Sequence, residues 1–231
     1  MSRILFITGS DTGVGKTVLT TLLIRRLRAL GVSALAVKPF CSGGRDDAEA
    51  LHAAQDGEIA LDALNPWHFR APLTPLLAAR REGRTLELPD VLTYLRQAAE
   101  LSSCLLVEGA GGLLSPLGEG FAADELIARL RARAVVVCPN RLGVINQARL
   151  TLGSLPKAAR AGAHVVLMGQ ARPDGSVKTN ATLLGELVGA ERVISMPFLP
   201  RAHQAALSPK LAQLLDAVLG ANTRADEACV T

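Results

Sequence analysis

Residues 9–17 read GSDTGVGKT, and they lie between the apolar run ILFI at residues 4–7 and a helix-like segment at 18–30. A glycine-rich turn between a strand and a helix wraps backbone N–H groups around a phosphate at the helix N-terminus. In this motif we expect Lys16 to reach the β- and γ-phosphates and the Thr17 hydroxyl to bind Mg²⁺. The sequence therefore predicts a nucleoside triphosphate site.

The spacing of this P-loop is unusual. Ser10 stands five residues before Gly15, where the motif has its first glycine, and Gly9 lies one residue further out. The predicted loop is therefore one residue longer than usual. A glycine-rich turn without a ligand is the alternative, but the strand, the Gly-Lys-Thr sequence and the helix all favour phosphate binding.

The composition is typical of one α/β domain. The chain has 231 residues, of which 49% are hydrophobic and 20% charged, enough for a large single core. We expect this domain at residues 1–221 and a flexible tail at 222–231. The net charge is +4, and the basic residues are scattered, which favours an enzyme with anionic ligands over a nucleic-acid-binding protein.

The cysteines and the hydropathy give an expectation about location. Cys41, Cys104, Cys138 and Cys229 form no C-x-x-C pair, so they predict reduced thiols rather than a zinc site or a disulfide framework. No apolar run reaches the roughly 18 residues of a membrane span, and the N-terminus leads directly into a strand. We therefore expect a cytoplasmic protein with no membrane partner.

Six apolar runs alternate with segments of helical periodicity. The runs lie at residues 3–8, 32–37, 104–107, 134–138, 163–168 and 192–196. This alternation predicts an α/β fold with a mainly parallel sheet and helices on both faces, as in P-loop NTPases. We expect residues 45–103 to form helices without a strand, and Ser208-Pro209 to begin a core-docked terminal helix.

Polar residues follow several of these runs, where ligands collect at the carboxyl ends of parallel strands. Lys38 follows the second run and could meet an anion. Glu108 follows the third run, before a second glycine-rich loop, and could bind Mg²⁺. Asp46 and Asp47 either supply further carboxylates or begin a helix. Residues 140–147 begin a helix whose N–H groups either hold an anionic ligand or are capped in the ordinary way.

Four segments together resemble the ATP-dependent dethiobiotin synthetase family over residues 3–200. They are GSDTGVGKT at 9–17, VKPFCSGG at 37–44 with the following Asp47, VEGAGGLLSPL at 107–117 and NRLGVINQARLT at 140–151. The resemblance implies a ligase that converts 7,8-diaminononanoate, CO₂ and ATP to dethiobiotin, ADP and phosphate. One amine forms a carbamate, its oxygen attacks the γ-phosphate, and the second amine then closes the ureido ring.

The resemblance also implies roles for individual residues. Those acting on the reacting groups would be Lys16, Lys38 and Thr12, and those holding Mg²⁺ would be Thr17, Asp47 and Glu108. The nucleotide would be bound by Gly13, Val14, Gly15, Lys16, Thr17, Val18, Asp47, Glu108, Gly109, Ala110, Gly111, Gly169, Gln170, Pro197, Leu199 and Pro200. The substrate would be bound by Ser42, Thr74, Leu142, Gly143, Val144, Ile145 and Asn146, with a second subunit of a homodimer closing the site.

The base-binding position departs from the family pattern. Family members that read adenine with an asparagine carry it after the fifth strand, where this chain has Gly169. Gln170 is longer and displaced by one place, so backbone contacts from Gly169 and the loop at 197–200 are the predicted base readers. Because backbone contacts discriminate weakly, we expect other triphosphates, CTP included, to replace ATP.

Two other classes share this sheet and P-loop. Amide ligases of the cobyrinate a,c-diamide synthase type carry a glutaminase domain, for which the chain has no room. The chromosome- and septum-partitioning ATPases carry an extra lysine five residues before the P-loop lysine, and Asp11 occupies that position here. The sequence therefore favours the synthetase over both.

Overall fold

The computed structural model describes residues 3–200 and 208–220. The strands are β1 Arg3–Gly9, β2 Ala34–Val37, β3 Phe40–Ser42, β4 Trp67–Phe69, β5 Cys104–Glu108, β6 Arg133–Pro139, β7 His164–Met168 and β8 Val193–Met196. The helices are α1 Lys16–Ala29, α2 Asp46–Ala54, α3 Leu61–Leu64, α4 Pro75–Arg81, α5 Leu88–Glu100, α6 Ala123–Leu130, α7 Val144–Ser154, α8 Lys157–Arg160, α9 Val177–Val188 and α10 Pro209–Leu219. The predicted tail at 222–231 lies outside the described residues.

Six strands form one parallel sheet in the order β2-β5-β1-β6-β7-β8. Each of the six apolar runs overlaps one of these strands, so the predicted alternation is confirmed. Because all six strands are parallel, their carboxyl ends lie along one edge of the sheet. The central strand β1 delivers the P-loop to the middle of that edge.

Helices cover both faces of the sheet, as predicted. Successive side chains of a strand point to opposite faces, and in β1 Leu5 and Ile7 pack in one core while Phe6 packs in the other. The first core contains the buried faces of α1, α2 and α10. The second contains those of α4, α5, α6, α7 and α9. The sheet is therefore buried on both sides, which explains its almost continuous apolar strands.

The terminal helix α10 docks on the core as predicted. The Ser208 hydroxyl accepts a hydrogen bond from the Leu211 amide at 3.3 Å, which caps the helix. Arg26 of α1 forms a 2.7 Å ion pair with Asp216. Among the described residues, no helix has both the length and the apolar character needed to cross a membrane.

The prediction that residues 45–103 contain no strand is wrong. β4 lies within that segment and pairs in parallel with β3 as a separate two-stranded sheet. A three-residue strand is too short to show a period of two, and its register comes from β3, which lies outside the segment. This small sheet is what carries the segment after β4 to the site described below.

Candidate active site

A cleft of about 690 Å³ opens at the carboxyl edge of the sheet. It lies between the P-loop, the segment after β2, the segment at 72–75 and the second glycine-rich loop. The predicted site residues that line it are Thr12, Gly13, Gly15, Lys16, Thr17, Val18, Lys38, Ser42, Asp47, Thr74, Ala110 and Gly111. The structure therefore brings four separate stretches of sequence to one cleft.

The P-loop closes around its own lysine. Gly15 adopts φ +99° at the start of α1, a left-handed conformation that favours glycine, and a Cβ there would lie 3.2 Å from Met168. The Lys16 Nζ donates to the carbonyls of Asp11 at 2.8 Å and Gly111 at 2.7 Å. Burial, together with the charge of Lys38, lowers the pKa of Lys16 to about 8. A bound phosphate would replace these neutral acceptors with anionic ones.

Behind the P-loop lies a buried charge cluster. The Lys38 Nζ lies 2.6 Å from Glu108 Oε1 and 3.1 Å from Asp47 Oδ2, and Thr17 Oγ1 donates to Glu108 Oε1 at 2.7 Å. Burial alone would lower the pKa of Lys38, but the two carboxylates outweigh burial and raise it. Burial opposes the charge of Asp47, yet the charge of Lys38 and the neighbouring Thr17 hydroxyl lower its pKa. Lys38 is therefore held as an ammonium ion.

The same cluster fits a magnesium ion. Thr17, Asp47 and Glu108 offer a hydroxyl and two carboxylates, the oxygen ligands that Mg²⁺ prefers. Glu108 is fully buried, and its Oε2 has no hydrogen-bond partner among the described residues. A buried carboxylate oxygen without a partner is costly, which a cation would relieve. Asp47 lies in the first turn of α2 beside Asp46, so the predicted helix start and the predicted carboxylate are both present.

The small sheet positions the other end of the cleft. β3 and β4 pair Ser42 with Phe69, and the Gly43 amide continues the ladder by donating to the Phe69 carbonyl at 2.9 Å. This pairing carries Thr74, which follows β4, to the cleft wall. The Ser42 Oγ is buried without a hydrogen-bond partner among the described residues, so it is available to a ligand.

The second glycine-rich loop packs directly on the P-loop. A Cβ on Gly112 would lie 3.3 Å from the Ser10 carbonyl, and the Leu113 amide donates to the Gly9 carbonyl at 3.0 Å. Ser115 also lines the cleft, and its Oγ accepts from the Gly112 amide at 2.9 Å. Sequence reasoning assigned no role to Ser115, although it lies within the quoted segment at 107–117. It also assigned no role to other residues that line the cleft, which are Phe40, Cys41 and Gly44 within the quoted segment at 37–44, and Pro72, Leu73 and Pro75 around Thr74.

Three of the predicted nucleotide-binding residues are buried and are not part of the cleft lining, namely Val14, Glu108 and Gly109. Two further predicted groups also lie outside the lining. Residues 142–146 begin α7 as predicted, but Leu142 is 79% exposed and its amide donates to Asp174 Oδ2 at 2.8 Å. The Val144 amide donates to the Arg141 carbonyl, so the first-turn amides of Ile145 and Asn146 are the ones a ligand could reach.

The predicted base readers form the second of these groups. The Gly169 amide donates to the Met196 carbonyl at 2.9 Å, and a Cβ on Gly169 would lie 2.3 Å from the Phe198 nitrogen. No side chain fits at that position with this backbone. The Gln170 Nε2 donates to the Met168 carbonyl at 2.8 Å, so this side chain binds the end of β7. Pro197, Leu199 and Pro200 follow β8 on the same side of the sheet, beyond the cleft lining.

Comparisons with known proteins show which family the chain resembles. A family model described as "AAA domain" matches residues 3–206. The chain is 38% identical to an ATP-dependent dethiobiotin synthetase from Anaeromyxobacter dehalogenans (strain 2CP-1 / ATCC BAA-258) over 224 residues, covering 95% of this chain and 98% of that protein. It is 32% identical to the ATP-dependent dethiobiotin synthetase from Bacillus subtilis (strain 168) over 215 residues, covering 90% and 88%.

Solved structures support the fold alone. A ParA family ATPase from Chlorobium tepidum TLS superposes with a TM-score of 0.60 at 15% identity, covering 96% of this chain and 99% of that one. The MinD cell division protein from Aquifex aeolicus superposes with a TM-score of 0.57 at 18% identity, covering 94% and 96%. At such identities the shared feature is the P-loop sheet, so function rests on the site and on the closer relatives.

Proposed function

The chain belongs to the dethiobiotin synthetase family, and from that premise we propose how its cleft carries out ATP-dependent ring closure of 7,8-diaminononanoate with CO₂. It is an ATP-dependent ligase. The observation that carries the mechanism is the buried cluster of Lys38, Glu108, Asp47 and Thr17 next to Lys16. Phosphoryl transfer needs positive charge and positioning more than covalent help, and this cluster offers both.

The two lysines would bind different anionic groups. Lys16 lies within the P-loop and would hold the phosphates of the bound nucleotide. Lys38 contacts the same Glu108 oxygen as Thr17 and would hold the carbamate and the migrating phosphoryl group. Thr17, Asp47 and Glu108 would hold Mg²⁺, which neutralises charge on the β- and γ-phosphates when it is bound.

Ring closure would take place at the part of the cleft that Thr12, Ser42 and Thr74 line. One substrate amine adds to CO₂ and loses a proton, and the carbamate oxygen then attacks the γ-phosphorus and releases ADP. The second amine attacks the carbamate carbon, releases phosphate and loses a proton, which forms the cyclic urea. Ser42, with its unpartnered hydroxyl, and Thr12 and Thr74 on the cleft wall would orient the carbamate.

A second copy of the chain would complete the substrate site. The start of α7 lies outside the cleft of its own subunit. Leu142, just before this helix, is 79% exposed, and Leu150 on the helix is 63% exposed. A homodimer that covers these leucines would bring the amides of Ile145 and Asn146 to the carboxylate of a substrate bound by the partner.

The test of the proposed function is formation of the product itself. With the diamine, bicarbonate, ATP and Mg²⁺ all present, we expect mass spectrometry to detect the cyclic urea, and omission of any one component to abolish it. The matched control is the mono-amine that lacks the second nucleophile, which should give no cyclic product. ATP hydrolysis at full rate without the diamine, and no cyclic urea, would favour a switch ATPase instead.

The nucleotide base should be read weakly. Gly169 cannot carry a side chain on this backbone, and the Gln170 carboxamide is engaged with the Met168 carbonyl, so the base would meet mainly backbone groups. We expect kcat/KM for CTP to lie within about tenfold of that for ATP, a difference of roughly 1.4 kcal/mol. Measuring ATP, CTP, GTP and UTP side by side checks this. A preference for ATP of about a thousandfold over the other three would contradict it.

A further inference from the structure

The backbone that carries Lys38 lies at a break in the hydrogen-bond ladder. β2 ends at Val37 and β3 begins at Phe40, and between them Pro39 has no N–H to donate. β2 is also the edge strand of the main sheet, so only one of its sides is paired with another strand. The main chain at Lys38 and Pro39 therefore needs other partners to fix its position.

Asn65 supplies two of those contacts, and the Pro39 carbonyl also accepts from the Trp67 amide at 3.1 Å. Asn65 is 1% exposed, and its Nδ2 donates to the Lys38 carbonyl at 2.7 Å and to the Pro39 carbonyl at 3.2 Å. Its Oδ1 accepts from Arg45 Nε at 3.1 Å. Because a guanidinium can only donate, this contact fixes the orientation of the carboxamide, with the NH₂ group facing the two carbonyls. In the same segment, the Leu64 carbonyl accepts from the Lys38 amide at 3.2 Å.

We propose that Asn65 is a positioning residue for Lys38, acting through the main chain at Lys38 and Pro39. The proposal rests on the role of Lys38 in turnover given above. The Lys38 side chain spans from this backbone to Glu108 and Asp47, so a shift of the backbone moves the ammonium relative to the reacting phosphoryl group. Misplacement by about 1 Å can lower the rate up to a hundredfold without weakening substrate binding.

A second buried carboxamide, which binds β2, provides a matched control. Gln55 is fully buried, and its Oε1 accepts from the Ala36 amide at 2.8 Å while its Nε2 donates to the Ala36 carbonyl at 3.0 Å. Gln55 therefore holds the edge strand itself, two residues before Lys38, whereas Asn65 holds the segment that follows the strand. If both carboxamides contribute only to stability, their loss should have the same effect on kcat. If Asn65 positions Lys38, only the loss of Asn65 should lower kcat.

The experiment compares Asn65→Leu, Asn65→Asp and Gln55→Leu in the full chain, assayed well below the Tm of each variant. Asn65→Asp keeps the size and the acceptor for Arg45, replaces the NH₂ donor by an oxygen, and adds a negative charge beside Arg45. We expect both Asn65 variants to lower kcat about tenfold with the nucleotide Kd within about twofold of wild type. Gln55→Leu should lower the Tm by about as much as Asn65→Leu does, roughly 5 °C, but its kcat should stay within about twofold of wild type.

Several outcomes would overturn the proposal. Equal loss of kcat in Gln55→Leu and the Asn65 variants would assign both carboxamides to stability. Full activity of Asn65→Asp beside an inactive Asn65→Leu would assign the effect to packing or to Arg45. If one Asn65 variant fails to fold, the kcat of the other one decides the test. If Lys38→Met itself retains turnover, the proposed function of Lys38 fails, whereas an inactive Lys38→Met with active Asn65 variants defeats only this inference.

Discussion

Lys38→Met is expected to lower kcat by about a hundredfold or more while the Kd for nucleotide stays within a few-fold of wild type. The physical reason is that Lys38 would contact the carbamate and the migrating phosphoryl group, so its charge acts mainly in the transition state, where such a contact contributes roughly 3 kcal/mol. Steady-state kinetics and calorimetric titration of the nucleotide measure the two quantities.

Stability must be measured alongside these kinetics. Lys38 is 3% exposed and pairs with the fully buried Glu108, and removing one partner of a buried pair costs about 3–5 kcal/mol when the other stays charged. Methionine keeps the length of the side chain and limits the cavity. Lys157→Met removes an exposed lysine on α8 and should change neither kcat nor Tm. A folded Lys38→Met enzyme with kcat within a few-fold of wild type would remove Lys38 from the mechanism.

Glu108→Gln is expected to lower kcat about a hundredfold and to raise the Mg²⁺ concentration needed for half-maximal activity by about tenfold or more. The substitution keeps the shape of the side chain but removes one of the two anionic ligands that the cluster offers to a cation. It also leaves Lys38 with Asp47 as its remaining carboxylate. Titration of Mg²⁺ at saturating ATP measures the shift.

A matched variant separates the metal from general loss of charge. Glu119→Gln removes a carboxylate that pairs with Arg80 outside the cleft, and it should leave the Mg²⁺ dependence unchanged. If Glu108→Gln titrates with Mg²⁺ as the wild type does, Glu108 does not hold the ion. In that case its fully buried carboxylate serves only to fix Lys38 and Thr17.

The main sheet was predictable because its signals are local. Each of the six strands is an apolar run of adjacent residues, and the crossover helices show their own periodicity, so no distant partner is needed to recognise them. The P-loop is likewise contained within nine residues. Lys38 and Glu108 could be proposed as neighbours because both follow strands of one parallel sheet, whose carboxyl ends share an edge.

The sequence by itself thus determined the sheet, the P-loop and the carboxyl-edge location of the charges. Only the tertiary structure decided which groups meet there. Asn65 reaches Lys38 across 27 positions, and Lys38 reaches Glu108 across 70. It also decided that β4 exists, and that the start of α7 lies outside the cleft. The physical reason is that these features depend on pairings between distant segments, which local hydrophobic periodicity and motif spacing do not encode.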